Sequence, residues 1–349
     1  MANSESDYKE PDIMSSTLIF PKEYKSVLSL RDTQKAIKLT KDTFQKKLSA
    51  ALNLDRITAP LMVTKDSGLN DDLNGVERKV HFTMKEVDGV AEVVQSLAKW
   101  KRMALYRYGY APGEGIYTDM NAIRRDDDCD NLHSLFVDQW DWEKVITREN
   151  RNFDYLKDTV KKIVGALCDT NEALKAAYPE LKTEIKRDVF FITTQELEDM
   201  YPELTSKERE NAIVKEHGTV FIMQIGGILK SGKKHDGRAP DYDDWMLNGD
   251  IFVWDETLSL ALEISSMGIR VDENSLRSQL IEANAQDRER FLFHRGILSG
   301  TLPLSVGGGI GQSRLCMLLL GKAHIGEVQV SVWPDNMREE CAENNIILL

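Results

Sequence analysis

The segment Gly307-Gly308-Gly309-Ile310-Gly311 runs straight into Gln312-Ser313-Arg314 and the apolar stretch Leu315 to Leu320. Glycines lack a Cβ, so they admit close backbone approach and make φ > 0 turns available. A glycine-rich turn of this kind, followed by a helix from Gly311 to Leu320, would bury Leu315, Met317, Leu318 and Leu319. Its N-terminus would favour an anion. Arg314 falls in the first turn, where the helix dipole disfavours a cation. It calls for an anionic partner, unless the segment is only a tight turn that packs a core helix. The dinucleotide fingerprint is not met, because Gln312 stands where its last glycine would fall and the segment lies late in the chain. A second glycine–lysine run, Gly227 to Lys234, fails as a P-loop, since Lys234 replaces the hydroxyl residue that binds Mg²⁺. It reads as an exposed basic turn.

Charge narrows the function classes. The 349 residues carry 45 Lys and Arg against 57 Asp and Glu, a net −12. Binding along a nucleic-acid backbone would need a local basic face, and a polybasic membrane-surface role is disfavoured. Four cysteines, with no C-x-x-C or zinc spacing, read as reduced thiols and point to the cytoplasm. No apolar run reaches membrane-span length. Met1–Ser16 is polar and acidic, unlike a signal peptide. Residues 1–20 are expected to form a flexible tail and 21–349 a single domain.

Apolar periodicity predicts a long helix from Lys22 to Leu52 with a stripe of Leu30, Ile37, Phe44, Leu48 and Leu52, and another from Phe153 to Ala173. Alternation over Ile57–Thr64 predicts a strand, held to an edge or an interface by Pro60. Further strands are expected at Lys79–Lys85, Ala91–Gln95, Gly115–Ile123, Ser134–Trp142, Val189–Thr193, Thr219–Met223, Ile251–Trp254, Leu260–Ser265 and Glu327–Trp333. Helices are expected at Leu97–Tyr108, Lys207–Glu216 and Arg288–Ser299. Strands without regular βαβ alternation indicate an α+β fold with a mainly antiparallel sheet.

Against this background the glycine segment with Arg314 resembles motif 3 of the class II aminoacyl-tRNA synthetases, with Ser313 in place of the usual acid. Arg124-Arg125, an acidic loop and Gln139-Trp140-Asp141-Trp142-Glu143 resemble motif 2 of the aspartate/asparagine subgroup. Glu263 to Arg270 resembles the strand before motif 3, and the long helix with the Pro60 strand resembles motif 1, a dimer interface. The similarity is closer still to the ammonia-dependent asparagine synthetases, the aspartate–ammonia ligases. It is carried by Asn70-Asp71-Asp72-Leu73-Asn74-Gly75, Gln95 to Arg102, Ala111 to Gly115, Val137 to Trp142 and Arg238 to Trp245, and spans about Glu23 to Trp333. Gln95 departs from the histidine of that family, the Trp245–Asn248 loop is shorter, and the N-terminus is longer.

The resemblance implies a class II synthetase-like catalytic domain that amidates L-aspartate with ammonia through β-aspartyl-AMP, releasing AMP and diphosphate. Arg124 and Arg314 would clamp the phosphates of ATP, with surface ion pairing as their plainer alternative. Asp250 and Glu263 would bind Mg²⁺; an unpaired Glu263 in an apolar strand would be costly, whereas Asp250 could be a turn residue. Arg270 and Gly309 are expected on the nucleotide side. Lys101 would meet a substrate carboxylate, with Ser96, Gln139, Ser265, Ser266 and Gly308 around the amino acid. Asp71, Asp141 and Asp243 would hold the α-ammonium or receive ammonia, and which of them takes the proton stays open. A homodimer is expected, with no nucleic-acid or membrane partner. A tRNA-charging synthetase and an inactive regulatory module are the alternatives. The first is opposed by the acidic charge and the lack of room for an anticodon-binding barrel, the second by Arg124, Gln139, Asp141, Glu263 and Arg314 occurring together.

Overall fold

The computed structural model describes residues 18–73 and 77–349. Most of the expected tail, and Asn74-Gly75 of the motif quoted above, lie outside these. Leu18–Phe20 do not trail away. Ile19 exchanges backbone hydrogen bonds with the Asn131 amide (2.8 and 2.9 Å), and Leu18 and Phe20 pack on the core.

Helix α1 (Leu30–Leu52) starts later than its periodicity suggests, because the Ser29 hydroxyl caps it by accepting from the Asp32 amide. It stops at Asn53, which adopts a left-handed conformation (φ 60°). Its buried stripe is Ala36, Thr40, Phe44, Leu48 and Leu52, while Leu30 is exposed. Of the expected strand Ile57–Thr64 only the end forms. Leu54–Arg56 (β1) runs parallel to Gly115–Ile123 (β5), the ladder ends before Pro60, and Met62–Thr64 (β2) joins a different sheet. That small sheet has the order β2-β4-β3, with β3 at His81–Thr83 and β4 at Val90–Val93. Helix α2 (Ala98–Tyr108) leads from it into β5.

The rest of the main sheet follows as β6 (Phe136–Val145), β7 (Phe190–Thr193), β8 (Thr219–Met223), β9 (Asp243–Asp255), β10 (Leu260–Arg270) and β11 (Ser305–Gly311). Its order is β1-β5-β6-β11-β10-β9-β8-β7, antiparallel except for β1–β5 and β7–β8. The α+β expectation therefore holds. The glycine segment is not a turn: Gly307–Gly311 form β11, and none has positive φ. The Glu327–Trp333 stretch forms no strand.

Helices α3 (Phe153–Ala177), α4 (Thr194–Met200), α5 (Ser206–His217), α6 (Glu273–Glu282), α7 (Leu292–Leu298), α8 (Gln312–Leu319) and α9 (Asp335–Glu343) complete the described elements. Strand alternation assigns the faces. Trp140 and Trp142 point into the main core with Phe44 of α1, Val160 and Val164 of α3 and Leu315 of α8. On the opposite face α2 covers β5 and β6 through Ala104, Leu105, Ile116 and Val145. Helices α4 and α5 cover β8 and β9 through Leu197, Ile213, Val220 and Phe252. The two covers leave the middle of that face, where β6, β11 and β10 run, open to a cavity.

Asp255 closes the β9–β10 hairpin by accepting from the amides of Thr257 (2.8 Å) and Leu258 (3.3 Å), while its other oxygen is buried without a partner among the described residues. Burial pushes this carboxyl from 3.8 up to about 6. The native state then holds a proton that the unfolded chain has shed, so the group lowers stability as pH rises through that window. Asp255→Asn keeps the acceptor and removes the charge. It is expected to raise stability by about 1–2 kcal/mol at neutral pH and by nothing near about pH 4, as read by urea unfolding at both.

Candidate active site

The open middle of the sheet holds a cavity of about 890 Å³. Its floor depends on the side-chain register of three strands. In one row Asp141, Gly309, Ser266 and Asp250 stand opposite one another across β6, β11, β10 and β9. The next row on the same face is Glu143, Gly307, Gly268 and Asn248. Each glycine leaves room that a charged or amide group occupies. A Cβ at Gly307 would fall inside the Glu143 carboxylate and 2.6 Å from Arg270 Nη2. At Gly309 it would collide with Gln139 Oε1 and come 2.8 Å from Asp141 Oδ1, and at Gly268 it would come 2.9 Å from Asp243 Oδ1. Ordinary residues here would push the polar groups off the sheet.

In the space so made lies a buried chain of charges. Arg270 binds Glu143 through Nε (3.0 Å) and Nη2 (2.7 Å), and grips Asp243 with Nη1. Lys101, on α2, donates to the Gly308 carbonyl (2.9 Å) and lies 3.3 Å from Asp141 and 4.0 Å from Glu143. Burial would raise the Glu143 carboxyl, but Arg270 and Lys101 more than offset it and hold it below the usual range. Burial lowers the Lys101 ammonium against the pull of Asp141. Asp141 Oδ2 is buried and has no partner among the described residues. Asp71 accepts from the Tyr242 hydroxyl (3.1 Å), and burial, reinforced by Asp241, raises its carboxyl despite Lys99.

Arg124 and Arg314 also line the cavity, among acids that include Asp127 and Glu263. Arg124 comes from the end of β5 and keeps a buried Nε without a partner among the described residues. Arg314 lies 3.6 Å from the Glu263 carboxylate and donates to its carbonyl (3.2 Å), which supplies the anionic partner its place in the first turn requires. The α8 N-terminus is already satisfied, because the Ser313 amide donates to Asp138 (3.0 Å). Arg314 and Arg238 more than offset burial and hold Glu263 below the usual range.

The structure gathers Asp71, Ser96, Lys101, Arg124, Gln139, Asp141, Asp243, Glu263, Ser265, Ser266, Arg270, Gly308, Gly309 and Arg314 around this one cavity. Asp250 sits behind its wall, on a strand and not in a turn, with both carboxylate oxygens taken by Arg238. The guanidinium of Arg270, expected on the nucleotide side, is engaged by Glu143 and Asp243 beneath the floor, and Asp243 is thereby tied down. Sequence reasoning passed over Glu143, Arg238 and Tyr242. Glu143 shares the alternation of Gln139 and Asp141, which would have found it; Arg238 and Tyr242 follow only from the fold. Among the described residues no group of three or more His, Cys, Asp or Glu forms a metal cluster. Asp250 and Glu263 stand on neighbouring strands, close enough to act on each other's ionisation, but of the two only Glu263 lines the cavity and can offer a hard oxygen to a cation while Arg238 holds Asp250.

Fold and site together define a class II aminoacyl-tRNA synthetase-like catalytic domain. Asparaginyl-tRNA synthetase from Entamoeba histolytica, in complex with asparaginyl-adenylate, superposes with a TM-score of 0.62 at 15% identity, covering 86% of this chain and 66% of that one. The Pyrococcus horikoshii enzyme, also with asparaginyl-adenylate, gives 0.62 at 16% identity, covering 87% and 70%. This chain thus spans about two thirds of those synthetases. Within the fold, the chain belongs to the aspartate–ammonia ligase family, whose pattern matches residues 31–345. It is 59% identical to the aspartate–ammonia ligase of Ruminiclostridium cellulolyticum, over 95% of this chain and 99% of that protein. It is 58% identical to that of Clostridium tetani, over 96% and 98%.

Gly309→Ala tests the floor. Its clash falls on the movable ends of Gln139 and Asp141, so relief comes from their displacement and not from the strand. Ligase activity is expected to fall by about 10²-fold, with little change in the thermal unfolding midpoint; retained activity would contradict this account of β11.

Proposed function

We propose that this chain ligates ammonia to the β-carboxylate of L-aspartate in an ATP-dependent reaction that forms L-asparagine, AMP and diphosphate. Besides family membership, the observation that carries the reading is the polarity of the cavity. Its lining combines two arginines, Arg124 and Arg314, with Lys101 and the acids Asp71, Asp141 and Glu263.

A carboxylate is a poor electrophile, so it must first be activated. In this reading a β-carboxylate oxygen attacks the α-phosphorus of ATP and diphosphate leaves. Arg124 and Arg314 take up the charge on the phosphates, each through a planar fork of donors. Glu263, and Asp250 if it shares its carboxylate with Arg238, would hold Mg²⁺, which would neutralise the triphosphate. Lys101 pairs with the α-carboxylate, while Ser96, Gln139, Ser265, Ser266 and the Gly308 backbone orient the amino acid. Asp141, with its free Oδ2, receives the α-ammonium. Ammonia then attacks the acyl carbon and AMP leaves. Asp71 is the best candidate to take the proton from ammonium, because its raised carboxyl and its contact with Tyr242 suit a base. The ion pair of Asp243 with Arg270 favours Asp71 over it for that task, and in this reading Asp243 acts by holding Arg270. The enzyme is read as a cytoplasmic homodimer. The four cysteines are free, and Leu61 and Met62 are exposed beside Pro60, where the motif 1 resemblance puts the dimer interface.

Three measurements check this. Products from ATP, Mg²⁺, aspartate and ammonium are expected to be asparagine and AMP. ADP or aspartyl-tRNA as the product would refute the reading. Arg314→Ala is expected to lower turnover by about 10²–10³-fold, as removal of a charge-stabilising donor does. Asp71→Asn should spare aspartate-dependent ATP–diphosphate exchange and lower amidation by about 10²–10⁴-fold, the scale of a lost general base.

A further inference from the structure

Behind Asp71 lies a second set of charges that the reaction does not touch. The Asp241 carboxylate is fully buried, and three donors converge on its Oδ2: Arg288 Nη1 (2.9 Å), His294 Nε2 (3.1 Å) and Lys99 Nζ (3.2 Å). Its Oδ1 has no partner among the described residues. The donors come from α2, from the 3-10 turn Gln286–Arg290 and from α7, so one oxygen ties α2 to two consecutive elements far down the chain.

Two of these groups, Lys99 and Arg288, also hold the loop that carries Asp71. Lys99 donates to the carbonyls of Asn70 (3.0 Å) and Gly68 (3.4 Å). Arg288 reaches Asp72 at 3.2 Å. Gly68 lies so close to the Phe291 ring, next to α7, that a Cβ would overlap it. From the other side the Asn70 amide binds Glu92 (3.1 Å) and the Val93 carbonyl (3.0 Å), and accepts from the amides of Asp71 and Gln95. Tyr242, which donates to Asp71, follows Asp241 directly in the chain. Among the described residues, no ion pair or hydrogen bond of Asp241 goes to Arg124, Arg314 or Glu263.

We propose that Asp241 is a positioning residue for the ammonia half of the reaction: with Lys99, Arg288 and His294 it fixes the 68–73 loop and Tyr242 so that the Asp71 carboxylate meets the incoming nitrogen. A buried ionised carboxylate is weak evidence for stability, because its desolvation offsets much of what its partners contribute. Its geometry, however, is exacting, and what it orients is one side of the cavity only. The adenylation groups stand on β5, β10 and α8, outside its reach. The inference rests on the proposed role of Asp71.

Its test compares two half-reactions on the same purified full-length protein. For Asp241→Asn, kcat/KM for ammonium, with ammonium chloride as the varied substrate, is expected to fall about 10²-fold, the scale of a small misplacement of a reacting group. Aspartate-dependent ATP–diphosphate exchange should stay near wild type. His294→Ala should show the same split, and His294→Gln, whose amide nitrogen can stand in for Nε2, should restore ammonium use. A parallel loss of both half-reactions, or an unchanged ammonium dependence, would overturn the proposal. Arg288→Met, at the edge of the cluster, supplies the same comparison if Asp241→Asn does not fold. Asp71→Asn separates the two claims. If it loses amidation while Asp241→Asn does not, only the positioning role fails; if it amidates normally, both fail.

Discussion

The site depends on side chains that are missing. On the face of the sheet that bears the cavity, Gly307 and Gly309 of β11 and Gly268 of β10 leave the strand surface bare. Glu143, Arg270, Gln139, Asp141 and Asp243 lie down into those gaps. The gaps let one sheet be a hydrophobic wall on one side and a charged floor on the other, with ladder hydrogen bonds intact beneath both.

Burying so many charges is tolerable because they are paired. Arg270 bridges two acids, and Lys101 lies between Asp141, Glu143 and a carbonyl. Such pairs gain little net stability, since desolvation costs are high. What they supply is rigidity, which reactions that depend on placing small reactants need. Two of the buried groups left with spare capacity, Asp141 Oδ2 and Arg124 Nε, belong to residues that line the cavity.

Much of this was legible in the residues. The long amphipathic helices, the strands Gly115–Ile123 and Thr219–Met223, and the α+β class follow from periodicity, because burial of one face imposes its pattern on the chain. The motif runs, through their resemblance, brought together many of the residues that line the cavity. Other expectations failed for physical reasons. The glycine segment reads locally as a turn, and only its pairing with β6 and β10 keeps it extended. Of the expected Ile57–Thr64 strand only Met62–Thr64 forms, in the small sheet; the main-sheet strand beside it, Leu54–Arg56, ends before Pro60. Helices α4, α6 and α9, of seven, ten and nine residues, went unpredicted.

The amino-acid order by itself determined the family, the faces of the helices and which polar residues would be too costly to bury without purpose. It could not say which charges neutralise one another, since such pairs join positions far apart. Arg270 reaches back to Glu143, Arg238 claims Asp250, and Asp241 collects Lys99, Arg288 and His294. The acids that looked equivalent in the chain, Asp71, Asp141 and Asp243, become different only when the fold gives each its neighbours. A carboxylate's chemistry is set by the charges and dielectric around it, and those exist only in the tertiary structure.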